Sequence, residues 1–497
     1  MWKKWAVLML IFTVLLLPDR SLAGTEREEP AQQTLDQIDR YVREQFESNG
    51  VPGGAYAVVY EGSVIAAQGI GSADVRTKEP VTPETVYATA SVTKALTATA
   101  LLKLYERGLV DLDAPVNEYI PWFSYADSER SSGVTIRHLL THSAGVNRFD
   151  ADGSIFEDEK KNRDSLENAV RALSTVRMSA NPGEKGQYCN SCYNVLGLVM
   201  EKVTGKNYEA VMEEELFAPL GMADTFFDPA DARHAATEYN WLFGFKHQSA
   251  SNNAVFGRSQ LPEGGIYSNV LDLSKLLSAL MNAGESSILS EETARMSQQG
   301  EIFTGSEGMK YTIGGFEETS IGHTEVLIKT GDGIGSTAAV LMIPEKKLGV
   351  ALLIGDSIPE IGGPITVSIA RLLLDQPSNA VDAGITFWKL AGLISLGFTV
   401  TGVIMAVWLI RSIAGMRKRG GRAIRRWLSA VRGAGFLLIN VPIVYLLLTF
   451  RPSQIGFYGY PYDIAIGLIT LASASACWAL YSFILAIRAY NRIEPTK

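Results

Sequence analysis

Two strand pairs near opposite ends of one region constrain this chain most, because a sheet built from both must bring those ends together. Residues Ala55 to Ile70 run as two apolar stretches about Glu61-Gly62, and Ala338 to Ile343 and Leu348 to Ile354 flank Pro344-Glu345-Lys346-Lys347. Each reads as two strands joined by a turn. Between them the apolar spacing is helical over Ser91 to Gly108, Thr135 to Thr141, Ser165 to Leu173, Ser191 to Gly205 and Leu271 to Met281, and Pro364 to Leu374 closes the region with a further helical pattern. The expected fold class is α/β: a sheet shared by both chain ends, flanked by helices, with the middle of the chain inserted as a helical lobe.

Outside this region the pattern changes. Lys3 and Lys4 precede an apolar run from Trp5 to Leu17 and then Ser21-Leu22-Ala23, the layout of a secretory signal peptide over 1–23. After Pro377 come three apolar stretches with no charged residue, 390–410, 433–450 and 464–487. Each is about as long as a ~30 Å hydrocarbon core requires. The sequence therefore predicts a folded domain over 24–376, a linker over 377–389, and an all-α membrane region over 390–497 with three transmembrane helices. Arg411, Arg417, Lys418, Arg419, Arg422, Arg425, Arg426 and Arg432 crowd the connection after the first stretch, which by the positive-inside rule places that loop in the cytoplasm. The expectation is a multi-pass protein of the cell membrane, in contact with membrane lipid, with its N-terminal domain extracytoplasmic.

Charge narrows the partners. The chain carries a net charge of -8, yet 13 basic and only 2 acidic residues lie from Ile385 onward, so the negative charge concentrates in the preceding domain. Such a domain is poorly suited to nucleic acid. The expected partner is a small or locally recognised substrate; the sequence is silent on oligomeric state.

Cys189, Cys192 and Cys477 provide no disulfide framework, so a large core must hold the fold. The Cys189/Cys192 pair has redox-motif spacing without thioredoxin-like surroundings and is not expected to be catalytic. Neither a metal nor another cofactor is expected. The cysteines lie too close together for a zinc site without further ligands, and His138 and His142 lack the intervening Glu of a metalloprotease helix. Those histidines are assigned packing or capping roles.

Ser91-Val92-Thr93-Lys94 opens a helix that is apolar or small nearly all round. Residues three apart share a helix face, so Lys94 lies one turn beneath Ser91. A serine hydroxyl needs a base, and a desolvated lysine can serve. Further on, Tyr188-Cys189-Asn190 leads into the helix beginning at Ser191, and in an extended approach Tyr188 and Asn190 face one side. Glu325 to Ile328 then reads as a strand running into Lys329-Thr330-Gly331-Asp332, where a lysine and a hydroxyl on an edge strand can hold a substrate carboxylate.

In this order, Ser-x-x-Lys, Tyr-x-Asn and Lys-Thr-Gly, the chain resembles the serine β-lactamase and penicillin-binding protein family, specifically its class C-like branch. The likeness covers about Leu35 to Leu374, including Pro52-Gly53-Gly54, His138 to Gly145 and Gly264-Gly265. It implies a β-lactamase/transpeptidase-like antiparallel sheet and a set of roles. Ser91 would be the nucleophile, Lys94 and Tyr188 the proton-transfer pair, Asn190 a substrate amide contact, and Lys329 a catalytic electrostatic partner and carboxylate anchor on the strand with Thr330 and Gly331. The backbone N–H groups of Ser91 and Asp332 would form the oxyanion hole. Asp332 departs from the small neutral residue commoner at its place. The implied activity is a membrane-anchored serine hydrolase, D,D-carboxypeptidase- or esterase-like on cell-wall material or related amides and esters. A β-lactamase or a non-turnover penicillin-binding sensor is the alternative.

Overall fold

The computed structural model describes residues 29–146, 164–248, 257–283, 288–306, 308–333, 335–384 and 387–418, together with 469–474, 477, 478 and 481. The signal peptide expected over 1–23, the stretch 433–450 and most of 464–487 lie outside the described residues.

Thirteen strands are described: β1 Gly53–Tyr60, β2 Ser63–Asp74, β3 Glu79–Pro80, β4 Tyr87–Ala88, β5 Tyr239–Leu242, β6 Phe245–Gln248, β7 Tyr267–Ser268, β8 Gly300–Phe303, β9 Lys310–Thr312, β10 Glu317–Ile321, β11 Thr324–Asp332, β12 Thr337–Ile343 and β13 Leu348–Ile354. Nine form one sheet in the order β3-β2-β1-β13-β12-β11-β10-β9-β8. Strands β1 and β13 pair antiparallel from Gly54↔Ile354 to Tyr60↔Leu348, so the two chain ends meet as the sequence predicts. The turn between β1 and β2 is made by Glu61 and Gly62, both at positive φ, the conformation that a two-residue hairpin requires.

Because side chains alternate along a strand, each strand feeds two cores. Ala55, Ala57 and Val59 face a large cluster shared with the helical lobe, whereas Tyr56, Val58 and Tyr60 face a second one, closed by helices α1 (Gln32–Ser48) and α7 (Pro359–Leu373). On β11, Leu327 belongs to the first cluster and Val326 and Ile328 to the second. Alternation then puts Lys329 and Gly331 on the lobe side. The lobe contains α2 (Thr93–Glu106), α3 (Ile136–Leu140), α4 (Ser165–Ala172), α5 (Asn190–Thr204) and α6 (Val270–Met281). Helix α2 is buried on nearly every face, as its composition requires, and Gly205 at φ 72° ends α5.

The expected membrane placement is corrected. Residues 390–410 fall within helix α8 (Phe387–Lys418), yet among the described residues no helix is long and apolar enough to cross a membrane. Protein contacts cover only a few of its apolar residues, while Leu390, Ile394, Val403, Ile404 and Ile410 among others are exposed. Leu393 approaches Gly244 in the β5–β6 turn, Lys389 lies over the Trp241 ring, and Phe398 and Met405 pack with Leu471 and Ala472. Trp478 stacks near Trp408 and donates its indole N–H to the Met405 carbonyl. A long apolar run needs a nonpolar neighbour, and sequence does not say whether lipid or protein supplies it.

Candidate active site

Ser91 sits in a 3₁₀ turn, Ala90–Val92, directly ahead of α2 rather than inside the helix. The preceding Ala90 is held at φ 44°, a left-handed conformation that costs a residue with a Cβ and persists only where surroundings impose it. Those surroundings are tight. Thr89 is fixed to the Ile266 carbonyl by both its backbone N–H (2.9 Å) and its hydroxyl (2.8 Å). From the other side β11 presses so closely that a Cβ on Gly331 would lie 2.3 Å from the Thr89 carbonyl oxygen. Gly331 is thus required for space, because strand and serine turn share it.

Lys94 follows one turn on and is fully buried. Its ammonium donates to Ser91 Oγ at 3.2 Å and to the Glu263 carbonyl at 2.7 Å, the latter a contact that no sequence motif announces. The Tyr188 hydroxyl donates to the same Ser91 Oγ at 2.7 Å. Lys94 Nζ lies 5.0 Å from the Tyr188 ring centroid and 5.6 Å from that of Tyr193, so its charge is stabilised by two aromatic faces as well as by hydrogen bonds. Burial alone would raise the Tyr188 pKa, but the neighbouring charges of Lys94 and Lys329 outweigh it and lower that pKa from the ordinary tyrosine value.

Tyr188 is held from behind. Cys189 is extended, its backbone N–H donates to His142 Nδ1 at 3.1 Å, and the His142 ring lies 4.5 Å from that of Tyr188. His142, given only a packing or capping role from sequence, therefore fixes the backbone next to the tyrosine. His138 caps α3, with Thr135 accepting from its backbone and its ring accepting from the Thr135 N–H. Cys189 and Cys192 are disulfide-bonded to each other, and the Cys189 sulfur also accepts the Cys192 N–H at the start of α5. The bond closes only a four-residue loop, so it locks a helix start rather than joining distant parts of the fold. Asn190 is the buried first residue of α5.

Lys329 lies on the same side, its ammonium 5.0 Å from the Tyr188 ring centroid. The structure also shows what sequence reading missed: Glu317 Oε1 accepts from Lys329 Nζ at 2.8 Å. Register alone does not announce it: Gly322-His323 makes a two-residue turn, Ile321 pairs with Thr324, and Glu317 lies opposite Ile328, whose side chain belongs to the other layer, so strand pairing by itself does not bring Glu317 to Lys329. Burial would depress the Lys329 pKa, but the Glu317 carboxylate, together with the neighbouring Tyr188 and Tyr193, outweighs it and holds the lysine above its ordinary value.

Strand β11 is not an edge of the sheet, since β12 and β10 flank it. Strand β10, however, accompanies it only as far as Ile328, so among the described strands none pairs with residues 329–332 on that side. Thr330 alternates toward α7, where a Cβ on Gly363 would meet its methyl group at 3.1 Å, and Asp332 is exposed at the strand end. Of the residues singled out from sequence, Ser91, Lys94, Tyr188, Lys329 and Gly331 converge, with Asn190 following Tyr188 into α5; Thr330 is turned toward the other layer.

The beta-lactamase family profile matches residues 38–360. The chain is similar to Protein flp of Staphylococcus aureus, at 31% identity over 205 residues for strain N315 and 24% over 482 residues for strain COL. The first alignment spans 41% of each chain, about two fifths of the relative's length; the second covers 93% of this chain and 92% of the relative. It is also similar to Esterase EstB of Burkholderia gladioli, 34% identical over 197 residues, 38% of this chain and 50% of the esterase. Among solved structures, the octameric penicillin-binding protein homologue from Pyrococcus abyssi matches with a TM-score of 0.60 at 28% identity, over 73% of this chain and 81% of that one.

Proposed function

We propose a reaction for this chain from the premise that it belongs to the beta-lactamase family, as a serine hydrolase of the superfamily that spans β-lactamases, penicillin-binding proteins and esterases. Ser91 is the nucleophile, and the hydrolase acts through an acyl-enzyme on amide or ester carbonyls, in the manner of a D,D-carboxypeptidase or esterase. One observation carries the reading: Ser91 Oγ is bracketed by the fully buried Lys94 Nζ at 3.2 Å and by the Tyr188 hydroxyl at 2.7 Å, whose pKa the neighbouring lysines lower.

In the first half-reaction the Tyr188–Lys94 pair takes the Ser91 proton while Ser91 Oγ bonds to the substrate carbonyl carbon. The carbonyl oxygen becomes an oxyanion, for which the backbone N–H groups of Ser91 and Asp332 are the proposed donors. Collapse breaks the bond to the leaving amine or alcohol, which receives the proton taken from serine. Water then attacks the acyl-enzyme with the same pair as base, releasing the acid and restoring Ser91. The class C-like order of the three motifs supports giving Tyr188 this part, and the esterase and the penicillin-binding protein homologue among the similar proteins support ester and peptide carbonyls as substrates.

Intact-mass measurement after mixing with a penicillin, a D-Ala-D-Ala peptide and a neutral nitrophenyl ester tests the reading. The expected result is an acyl adduct on Ser91 with at least one of them, lost in Ser91→Ala. An adduct that survives in Ser91→Ala overturns it.

A further inference from the structure

The resemblance gives Lys329 both an electrostatic and a carboxylate-anchoring role, and its surroundings favour the first. Its side chain is only 3% exposed, and the ammonium is engaged by the Glu317 carboxylate, itself 14% exposed, and by the Tyr188 ring. A carboxylate brought to that ammonium would meet a cation already paired at 2.8 Å and would stand beside a second carboxylate in surroundings that screen little. Asp332 is exposed three residues further along the same strand. Lys94 does not offset this, because it is committed to Ser91 and the Glu263 carbonyl.

We propose that Glu317 is a specificity-determining positioning residue. It turns Lys329 inward, where the lysine supports Tyr188, and so directs the site to neutral esters and amides over substrates with a carboxylate on the leaving group. The inference rests on the acyl-enzyme reading above and chooses within it: of the two modes named there it selects the esterase-like one, since the D-Ala released by a D,D-carboxypeptidase carries a carboxylate. Lys329 then acts on the proton-transfer pair rather than as an anchor, and the Glu317–Lys329 pair is the device that separates the two tasks. A buried pair that loses one partner leaves the other exposed to new partners, so removing the Glu317 charge hands Lys329 back to an incoming carboxylate.

The test is a matched pair of substrates with one acyl group, a phenyl ester and its meta-carboxyphenyl counterpart, hydrolysed by the full chain. The quantity read is the ratio of kcat/KM, carboxyphenyl over phenyl. Wild type is expected to give a ratio below one. Glu317→Gln should raise it about tenfold, mainly through a lower KM for the carboxyphenyl ester, a differential that a loss of packing would not produce. Glu317→Thr, uncharged and strand-favouring, serves if the Gln variant does not fold. A ratio that changes by less than about twofold in the folded variant, or a wild-type ratio above ten, overturns the proposal while leaving Ser91 acylation standing. Failure of wild type to turn over either ester, with no adduct on Ser91, overturns the acyl-enzyme reading and this proposal with it.

Discussion

Gly331→Ala tests whether β11 and the serine turn form one machine. The added Cβ would lie 2.3 Å from the Thr89 carbonyl oxygen and 2.9 Å from the Ser91 and Val92 nitrogens. Non-bonded contacts to carbon relax at about 3.5 Å, so strand and turn must part by roughly 1 Å. Neither yields easily: Thr89 is fastened twice to Ile266, and Gly331 is registered against Ala338 of β12. Overpacking of this kind costs about 1–3 kcal/mol, small against the 5–15 kcal/mol of a typical domain, so the variant should still fold. Catalysis is more sensitive, because a misplacement of about 1 Å can cost on the order of 10²-fold. The assay is the acylation rate with a neutral nitrophenyl ester, followed by intact mass, with urea unfolding to confirm the fold. An acylation rate within about threefold of wild type in a folded variant would refute the reasoning.

Lys94→Ala and Tyr188→Phe should each slow acylation by roughly 10²–10⁴-fold, with the double variant little worse, because both groups serve one proton transfer on one oxygen; additive losses in the same assay would show two independent tasks. Asp356 is buried and paired with Lys246, and burial, only partly countered by that lysine, pushes its carboxyl up to about 6 from an ordinary 3.8. The folded chain then holds this proton more tightly than the unfolded one, so the stability it lends is present at low pH and is lost as pH rises through 6. Between pH 4.5 and 7 the loss is on the order of 2 kcal/mol. Urea unfolding at both pH values should show wild type losing that much more than Asp356→Asn; parallel losses would refute the assignment.

What the sequence made legible was what is local or periodic. Strand alternation and the glycine turn placed β1 and β2, the closing pair β12 and β13 followed from the same pattern, and the apolar-all-round composition of α2 announced its burial. Ser91 and Lys94 were readable because three residues are one helical turn. Tyr188 and Lys329 lie far from them in sequence and were reached through the order of motifs, since no local rule brings a helix start and a mid-sheet strand onto one serine. The contact of Lys94 with the Glu263 carbonyl, the left-handed Ala90 and the backing of Tyr188 by His142 depend on how distant segments pack, and carry no pattern of their own. The apolar stretch at 390–410 failed for a related reason: length and hydropathy describe a segment's composition and not what stands against it in the fold.

Glu317 belongs with the residues that sequence could not supply. Gly322-His323 is a turn signal, and a two-residue turn fixes register, but that register sets Glu317 opposite Ile328, whose side chain faces the other layer, so its contact with Lys329 came only from the folded structure. In a site where two lysines face one tyrosine, a single carboxylate on the neighbouring strand decides whether the second lysine serves the enzyme's own proton or the substrate's charge.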